Sequence, residues 1–433
     1  MFWKTFQLAV LALLLTIPAT GRTAQTCDKP PPQAAPPPTY SGQPANDGYQ
    51  IMYHSMWEFI RDSYFDPGRL KDWTKYEHAF DDKLGTIADI EIALKALAQA
   101  TGDKWTTYIT AQDMRDHAAM EQQGLVTGGI MLYHRGQHYK LDVIHYGSAG
   151  YHTTLRERDD ILCLNGVALD TLAPEQVTSL LRGKSGDKLK VKAISSEDGQ
   201  EFEVELTLAA IPAPAVQAKL LQNGIAYLTM PSFAGEHFIT EFVEQYSALV
   251  SQNGGKVNGL ILDLRYNHGG ELPAATKFSS LFLDESKVVT QSVLRDKPIK
   301  LIHANKADEI SIKGKVVDAA LVAQLRKLPL VILANGSSAS AAEVTLAALK
   351  DNKRGVIVGD TSFGKGVGYK TQRGPVGGLM SLTAFKYLSP NGNEVHEIGI
   401  TPDFPVAVPR SETRDVQLET AIIRLEEKLQ NSP

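Results

Sequence analysis

The carboxyl-terminal half of the chain, residues 211–433, alternates short apolar runs with segments whose apolar residues recur every three or four positions. NGLILDLRYN, LPLVILAN and RGVIVGD are typical of the first kind, and HFITEFVEQYSALVSQ and SAAEVTLAALKDN of the second. Strands that are apolar on both faces belong to a sheet that helices cover on both sides. The pattern therefore predicts an α/β core with a largely parallel sheet.

The preceding half has two other patterns. Residues 48–124 space their apolar positions as amphipathic helices do, including a helix that begins at the cap Thr110. Residues 125–210 consist of short alternating runs separated by turn residues, which predicts a mostly β domain of about 85 residues. The sequence thus predicts an amino-terminal helical segment, a β domain and an α/β core.

The first residues predict export. A lysine, a short apolar run and small residues form a secretory signal peptide over residues 1–21, with Ala19 and Gly21 or else Ala24 near the cleaved bond. Residues 22–47 are rich in proline and predict an extended linker. The mature chain is expected in the periplasm or outside the cell.

The two cysteines are expected to remain apart. Cys27 follows the apolar run as a lipidated cysteine does, but the preceding AQT lacks the leucine and small residue of such a site. Cys163 lies in the strand-like DDILCLNG and is expected to be a buried free thiol. A disulfide between the tail and this strand is not expected.

Length and charge exclude several classes. A chain of 433 residues predicts two or three domains, and a net charge of −5 with mixed signs argues against nucleic acid or an anionic membrane as the partner.

His134 and His138 flank a hairpin turn, which argues against a metal site. LLRGKSGD lacks the earlier glycine of a phosphate-binding loop, since position 178 is Thr178.

Candidate chemistry lies where predicted strands end. In NGSSASAAEV, residues 335–344, serines stand between a strand and a helix, where a serine often caps the helix and where free N–H groups also stabilise anions. Gly269 and Gly270 follow a second strand, and Lys365 follows a third, between two glycines. A buried neutral lysine can replace histidine as the base of a serine nucleophile. Lys350 is about 15 Å along the helix from Ser340 and cannot serve.

Taken together, GLILDLRYNHGG, NGSSASAAEVTLAALKDNKRGVIVGDTSFGKG and GITPDFPV resemble the carboxyl-terminal processing (tail-specific) proteases, serine peptidases of family S41. The resemblance implies a ClpP/crotonase-like mixed sheet core, amino-terminal helices and an inserted PDZ domain over residues 125–210. It implies Ser340 as nucleophile and Lys365 as general base. It also implies an oxyanion hole formed by the amides of Ala341 and of Gly270 or Gly269.

Two positions depart from the family pattern. Tyr369 stands where a glutamine usually orients the lysine, and His268 replaces the proline before the glycines. Tyr369 and Glu343 are therefore candidates for orienting the Ser340 and Lys365 pair. His268 as an alternative base is the minor reading.

The resemblance also suggests the substrate. In the PDZ module, Gly128, Gly129 and Ile130 would bind the terminal carboxylate and backbone of an apolar carboxyl-terminal tail. The expected partners are proteins or peptides with exposed carboxyl termini; an adaptor or activator and a homo-oligomer are left open. The implied chemistry needs neither a cofactor nor a metal. The competing hypothesis is a peptide-binding scaffold that does not cleave.

Overall fold

The computed structural model describes residues 27–29, 39–115, 126–135, 138–211, 213–374, 377–410, 412 and 414–430. The predicted signal peptide lies outside the described residues. So do much of the predicted linker and residues 116–124 of the helix predicted from Thr110. In the described ranges, no helix is long and apolar enough to cross a membrane.

The helices follow their apolar periodicity and their caps. They are α1 (Asp47–Ser63), α2 (Ile87–Gln99), α3 (Pro174–Leu180), α4 (His237–Gln252), α5 (Leu272–Ser280), α6 (Ala319–Lys327), α7 (Ala341–Asp351) and α8 (Val416–Gln430).

The strands of the first half of the chain belong mainly to the β domain. They are β1 (Thr107–Ile109), β2 (Val126–Thr127), β3 (Ile130–Arg135), β4 (His138–Ile144), β5 (Asp160–Leu164), β6 (Val167–Ala168), β7 (Lys188–Ile194), β8 (Glu201–Thr207) and β9 (Ala209–Ala210).

The strands of the second half build the core. They are β10 (Ala218–Leu220), β11 (Ile225–Thr229), β12 (Gly259–Asp263), β13 (Val288–Leu294), β14 (Lys300–His303), β15 (Ser311–Ile312), β16 (Lys315–Val316), β17 (Leu330–Ala334), β18 (Val356–Gly359), β19 (Val367–Arg373), β20 (Leu379–Leu388) and β21 (Phe404–Pro405).

The predicted parallel sheet is the centre of the core. Its order is β10-β11-β12-β17-β18-β21, and every pair except β10 with β11 is parallel. Every residue of β12 and β17 is buried. One face packs against α4, α5 and α7, and the other against Ala421 and Leu425 of α8. Parallel strands end at one edge, and that edge carries the candidate residues after β12, β17 and β18.

A second, antiparallel sheet was not predicted from the sequence. Its order is β1-β20-β13-β14, with β19 also paired to β20. Strand β1 precedes the β domain, yet Thr107 pairs with Ser381. The amino-terminal region is thereby fixed to the core next to the segment that carries Lys365.

The helical region is less regular than predicted. α1 and α2 form, the latter with a capping box between Thr86 and Asp89. The intervening residues form three short 3₁₀ turns instead of the predicted helix. Trp57 and Trp73 explain this packing, because each indole N–H donates to the other's backbone carbonyl, at 3.1 and 3.3 Å. Met380 and Leu382 of β20 complete the same apolar cluster.

The β domain has its own sheet, in the order β3-β4-β5-β7-β8, with β6 paired to β5. A separate apolar cluster fills it. At its base β2 pairs with β9, so that Val126 opposes Ala210 and the first and last strands of the segment lie side by side. β3 is an edge strand in the described part of the chain, and α3 packs near it.

The expectation of two separate cysteines is wrong. Cys27 and Cys163 form a disulfide, with Cα atoms 6.0 Å apart. Lys29 pairs with the turn after β5, its amide donating to the Gly166 carbonyl at 2.9 Å. This local pairing brings the tail against the strand that carries Cys163, a contact that no periodicity in a proline-rich stretch indicates. A disulfide-bonded Cys27 cannot carry a thioether lipid.

We expect the Cys163→Ala variant to lose about 2–4 kcal/mol of unfolding free energy, because the disulfide closes a loop across 136 positions and restricts the unfolded chain. Urea denaturation followed by fluorescence measures the change, and Cys27→Ala should give the same value. Two titratable thiols in the unreduced, denatured wild-type protein would contradict the disulfide.

Candidate active site

Ser340 is the N-cap residue of α7, at the end of the turn that follows β17, and has a φ of 56°. A positive φ is strained for a residue with a side chain and is common in functional turns. The strain is compensated locally, because the Ser340 amide donates to Glu343 Oε2 at 2.8 Å. The serine is therefore held at the helix start in one orientation.

The neighbouring serines differ from one another. The Ser338 hydroxyl donates to the Leu264 carbonyl at 2.9 Å and accepts the Asn335 amide at 3.0 Å, which fixes the turn. Ser337 takes part through its amide, but within the described residues its buried hydroxyl has no hydrogen-bond partner. The predicted turn-forming role thus fits the Ser338 side chain and not that of Ser337.

The glycine pair after β12 lies against Ser340. A side chain at Gly269 would place its Cβ 2.7 Å from Ser340 Cβ and 2.8 Å from the Ala341 nitrogen. At Gly270, with φ of 143°, a Cβ would overlap the backbone of Phe233 at 2.1 Å. Only glycines allow this approach. Asn267, whose Oδ1 accepts the Gly269 amide at 2.8 Å, fixes the loop.

Two backbone amides at this junction remain available. The strand-like contact with Phe233 uses the Gly269 carbonyl and the Glu271 amide, at 2.8 and 2.9 Å. Within the described residues no hydrogen bond is recorded for the amide of Gly270 or that of Ala341. The Ala341 amide follows Ser340 directly, and the Gly270 amide follows Gly269, which packs against Ser340. The start of α7 adds the positive end of its helix dipole. The arrangement suits a developing oxyanion.

Glu343 is the central buried carboxylate of the site, with 0% exposure. It accepts four hydrogen bonds: from the Ser340 amide (2.8 Å), the Ser362 hydroxyl (2.6 Å), the Gly364 amide (2.6 Å) and the Lys365 amide (2.7 Å). Burial raises its pKa, while these donors act in the opposite direction. One side chain thus joins the serine turn to the lysine loop.

The Lys365 amine lies between two aromatic rings. Its Nζ is 4.6 Å from the ring centre of Trp105 and 4.9 Å from that of Tyr369. No hydrogen bond links this amine to the Ser340 hydroxyl in the described ranges. Burial lowers the pKa of Lys365, and Asp142 and Glu343 partly oppose that shift. Glu343 therefore joins the backbones of the predicted pair, while the Lys365 amine lies against the two rings without a bond to Ser340 in the described ranges.

The two residues predicted to orient the Ser340 and Lys365 pair, Tyr369 and Glu343, make different contacts. Tyr369 meets the amine with its ring and not through a hydrogen bond from its hydroxyl. Glu343 holds the backbones of both Ser340 and Lys365. Sequence reasoning missed Tyr387, which is buried, donates from its hydroxyl to the Lys365 carbonyl and neighbours the Ser340 side chain. It also missed Trp105, which lies in TGDKWTTYIT among motifs assigned to the helical region.

The two other residues weighed as bases are engaged elsewhere. Burial lowers the pKa of His268 to about 4, and its ring contacts that of His145, with centroids 5.6 Å apart. Lys350 donates to the Thr401 carbonyl at 2.5 Å and pairs with Asp403 at 3.4 Å. A neutral His268 in this position packs between the glycine loop and the β domain.

The β domain contacts the site at several points. Arg158 donates to the carbonyl of Phe363, two residues before Lys365, at 3.3 Å. Asp159, which is fully buried, forms a bidentate ion pair with Arg410 at 2.7 and 3.0 Å. These bonds fix the β domain against the core on the side of the lysine loop.

The predicted carboxylate-binding residues lie at the start of the β3 edge. Gly128 and Gly129 separate β2 from β3, and their carbonyls accept the Gly150 and His145 amides at 2.7 and 2.9 Å. Ile130 is buried and opens β3. His134 and His138 are exposed on the β3-β4 hairpin. No group of three or more metal-binding side chains occurs among the residues with assigned positions.

The geometry is that of an α/β protein with a serine at a strained helix start, free amides beside it and a lysine on the next loop. Residues 224–406 match the model of peptidase family S41 and are a peptidase family S41 domain. The prediction drawn from the three motifs is thereby confirmed.

Two curated relatives are similar over most of the chain. The carboxy-terminal processing protease CtpA of Bacillus subtilis (strain 168) is 26% identical over 334 residues, which cover 77% of this chain and 66% of that protein. The probable CtpA-like serine protease of Staphylococcus haemolyticus (strain JCSC1435) is 25% identical over 326 residues, 75% of this chain and 62% of that protein. The chain thus matches a little under two thirds of their lengths.

The fold is shared with a solved structure. The photosystem II D1 C-terminal processing protease superposes with a TM-score of 0.68 at 20% identity, covering 88% of this chain and 97% of that one. The predicted fold class, α/β with a mixed-sheet core, is therefore confirmed.

Proposed function

We propose that the protein is an exported serine endopeptidase that cleaves polypeptides near their carboxyl termini. The observation that carries the proposal is the junction at which one buried carboxylate binds the backbone amides of both Ser340 and Lys365. The unbonded amide of Ala341 follows Ser340 in the chain, and that of Gly270 follows Gly269, which packs against Ser340. The similarity to carboxy-terminal processing proteases supports the same reaction class.

In the proposed reaction the neutral Lys365 amine accepts the hydroxyl proton as Ser340 Oγ attacks the scissile carbonyl. The amides of Ala341 and Gly270 donate to the oxyanion, and the ammonium then returns the proton to the leaving amine. Water hydrolyses the acyl-enzyme in the same way. Glu343 is proposed to hold the loops of Ser340 and Lys365 in position and to transfer no proton.

Recognition of the substrate is proposed to use the edge of β3. An extended peptide can add to this edge as a further strand, with its terminal carboxylate near the loop of Gly128, Gly129 and Ile130. Apolar tails fit this role because Met131 of β3 is exposed and the start of the strand adjoins an apolar cluster.

Export is proposed from the signal-like residues 1–21 and is supported by the disulfide. Disulfides persist in oxidising compartments and are rare in the cytosol of most organisms. A location in the periplasm or outside the cell fits both observations.

Casein cleavage by the purified chain tests the proposal. We expect fragments from the wild-type protein and none from Ser340→Ala, with Ser337→Ala as the matched control because that neighbouring hydroxyl bonds to nothing described. Equal cleavage by wild type and Ser340→Ala would contradict Ser340 as nucleophile. Binding of a tail peptide without any cleavage would support the non-catalytic scaffold.

The pH dependence should report the lysine. Because the base must be neutral, kcat/KM rises with pH as the Lys365 amine loses its proton. Burial lowers the pKa of Lys365, so the midpoint should lie below the ordinary lysine value of about 10.4. Initial rates of a quenched peptide between pH 5 and 10 measure it. A midpoint near the ordinary histidine value of about 6.5 that persists in Lys365→Arg would indicate another base.

A further inference from the structure

Trp105 is fixed in place by the turn before β1. Its amide donates to Asp103 Oδ1 at 3.0 Å, and the Thr106 hydroxyl donates to Asp103 Oδ2 at 2.9 Å. Thr106 Oγ1 in turn accepts the amide of Thr383 in β20 at 3.2 Å. The indole is therefore held over the core by a buried carboxylate and not by the helices of its own region.

Tyr369 reaches the same point from the other side of β20. It opposes Thr383 in the β19-β20 register, and Thr383 is the residue that binds the Trp105 turn. The backbone segments that carry the two rings are thus both attached to Thr383 of β20, one through strand pairing and the other through Thr106. The Lys365 amine lies against both, at 4.6 and 4.9 Å from the ring centres.

The backbone of Lys365 is fixed by hydrogen bonds and does not move when the side-chain amine changes position. Its amide is bound by Glu343 and its carbonyl by Tyr387, both of them buried. Only the four-carbon side chain remains to change rotamer. An exchange of the amine between the rings and Ser340 is therefore a rotation of one side chain within a fixed loop.

Several charged groups face this amine. Asp142 of β4 and Glu343 of α7 favour its protonated form, and Lys104 opposes it. Lys104 Nζ lies 4.4 Å from the ring centre of Trp105, the ring that the amine of Lys365 also contacts. An ammonium over an aromatic face is stabilised by the ring quadrupole, whereas a neutral amine gains little. The rings thus favour the form of Lys365 that cannot act as a base.

We propose that Trp105 and Tyr369 form an aromatic slot that holds the Lys365 amine away from Ser340, which makes Trp105, outside the S41 domain, a positioning residue of the reaction. The inference rests on the proposed function. Release of the amine from the slot precedes each attack by Ser340, so that the turn of residues 103–106 sets the fraction of molecules ready to react. No catalytic contact with the substrate is assigned to either ring.

The test compares the full-length wild type with Trp105→Leu and Trp105→Phe by two measurements. The first is the rate at which acetic anhydride modifies Lys365 relative to Lys370, an exposed lysine of the following strand β19, measured by peptide mass spectrometry from pH 6 to 10. The second is the rate at which a fluorophosphonate probe modifies Ser340. Thermal unfolding of each variant shows that it is folded.

We expect Trp105→Leu to raise both rates by about two- to thirtyfold, the range that a cation–π contact spans, with Trp105→Phe in between. An unchanged relative acetylation of Lys365 in Trp105→Leu would overturn the slot. So would faster acetylation accompanied by slower modification of Ser340, because a merely structural tryptophan would give that pair of results. If acetylation rises as expected while no form, wild type included, reacts with the probe, the slot stands and the proposed peptidase activity fails.

Discussion

Replacing Lys365 with methionine is expected to reduce the rate of casein cleavage by roughly 10⁴-fold or more, to the level of Ser340→Ala. Methionine keeps an unbranched side chain of similar length between Trp105 and Tyr369 but has no amine to accept the Ser340 proton. The loss should appear in kcat, because neither Lys365→Met nor Ser340→Ala changes β3, the edge strand proposed to bind the tail. Progress curves with a quenched peptide measure it.

The Ser340→Ala, Lys365→Met double variant separates a joint role from two independent ones. When two residues act in one proton transfer, the effects of replacing them are not additive. The double variant should therefore cleave no more slowly than either single variant. Lys370→Met is the matched control, since it removes an exposed amine five positions along the chain. A Lys365→Met variant with more than a tenth of wild-type activity would exclude Lys365 as the base.

The second large effect is expected from Glu343→Gln. A carboxylate can accept the bonds from Ser340, Ser362, Gly364 and Lys365 together, whereas an amide must turn an NH₂ group toward two of these donors. Each buried donor left without an acceptor costs about 1–3 kcal/mol. We therefore expect both a lower melting temperature and a loss of activity of roughly 10²-fold or more, because Ser340 and Lys365 lose their common support.

Calorimetry and peptide hydrolysis measured on the same preparation distinguish this expectation from simple unfolding. At a temperature where Glu343→Gln is fully folded, the loss of activity should persist, since it comes from misplaced loops. Glu244→Gln serves as the control, because it also replaces one glutamate with glutamine but at an exposed position of α4. Wild-type activity in folded Glu343→Gln would show that the carboxylate does not position the site.

The α/β core was predictable because its strands carry a strong signal. β12 and β17 are apolar at nearly every position, and burial on both faces leaves no polar alternation to confuse the pattern. β19 exposes Lys370, Thr371 and Arg373, so its amphipathic pattern resembles that of a loop. β19 was missed for this reason.

The residues around Ser340 were predictable where they follow strand ends, and not where they come from distant segments. Gly269, Ala341 and Glu343 adjoin the strands and the helix that the pattern identified. Trp105 reaches Lys365 only because β1 pairs with β20, more than 270 positions later in the chain. Such contacts depend on tertiary packing, which the local spacing of residues does not encode.

The pairing of β2 with β9 has one further consequence. Because Val126 and Ala210 are paired, the β domain between them begins and ends at adjacent points of the structure. A module inserted in this way can be exchanged or lengthened during evolution without rethreading the core. Different β domains can therefore be combined with an unaltered α/β core, provided that the replacement recreates the contacts with Phe363 and Arg410.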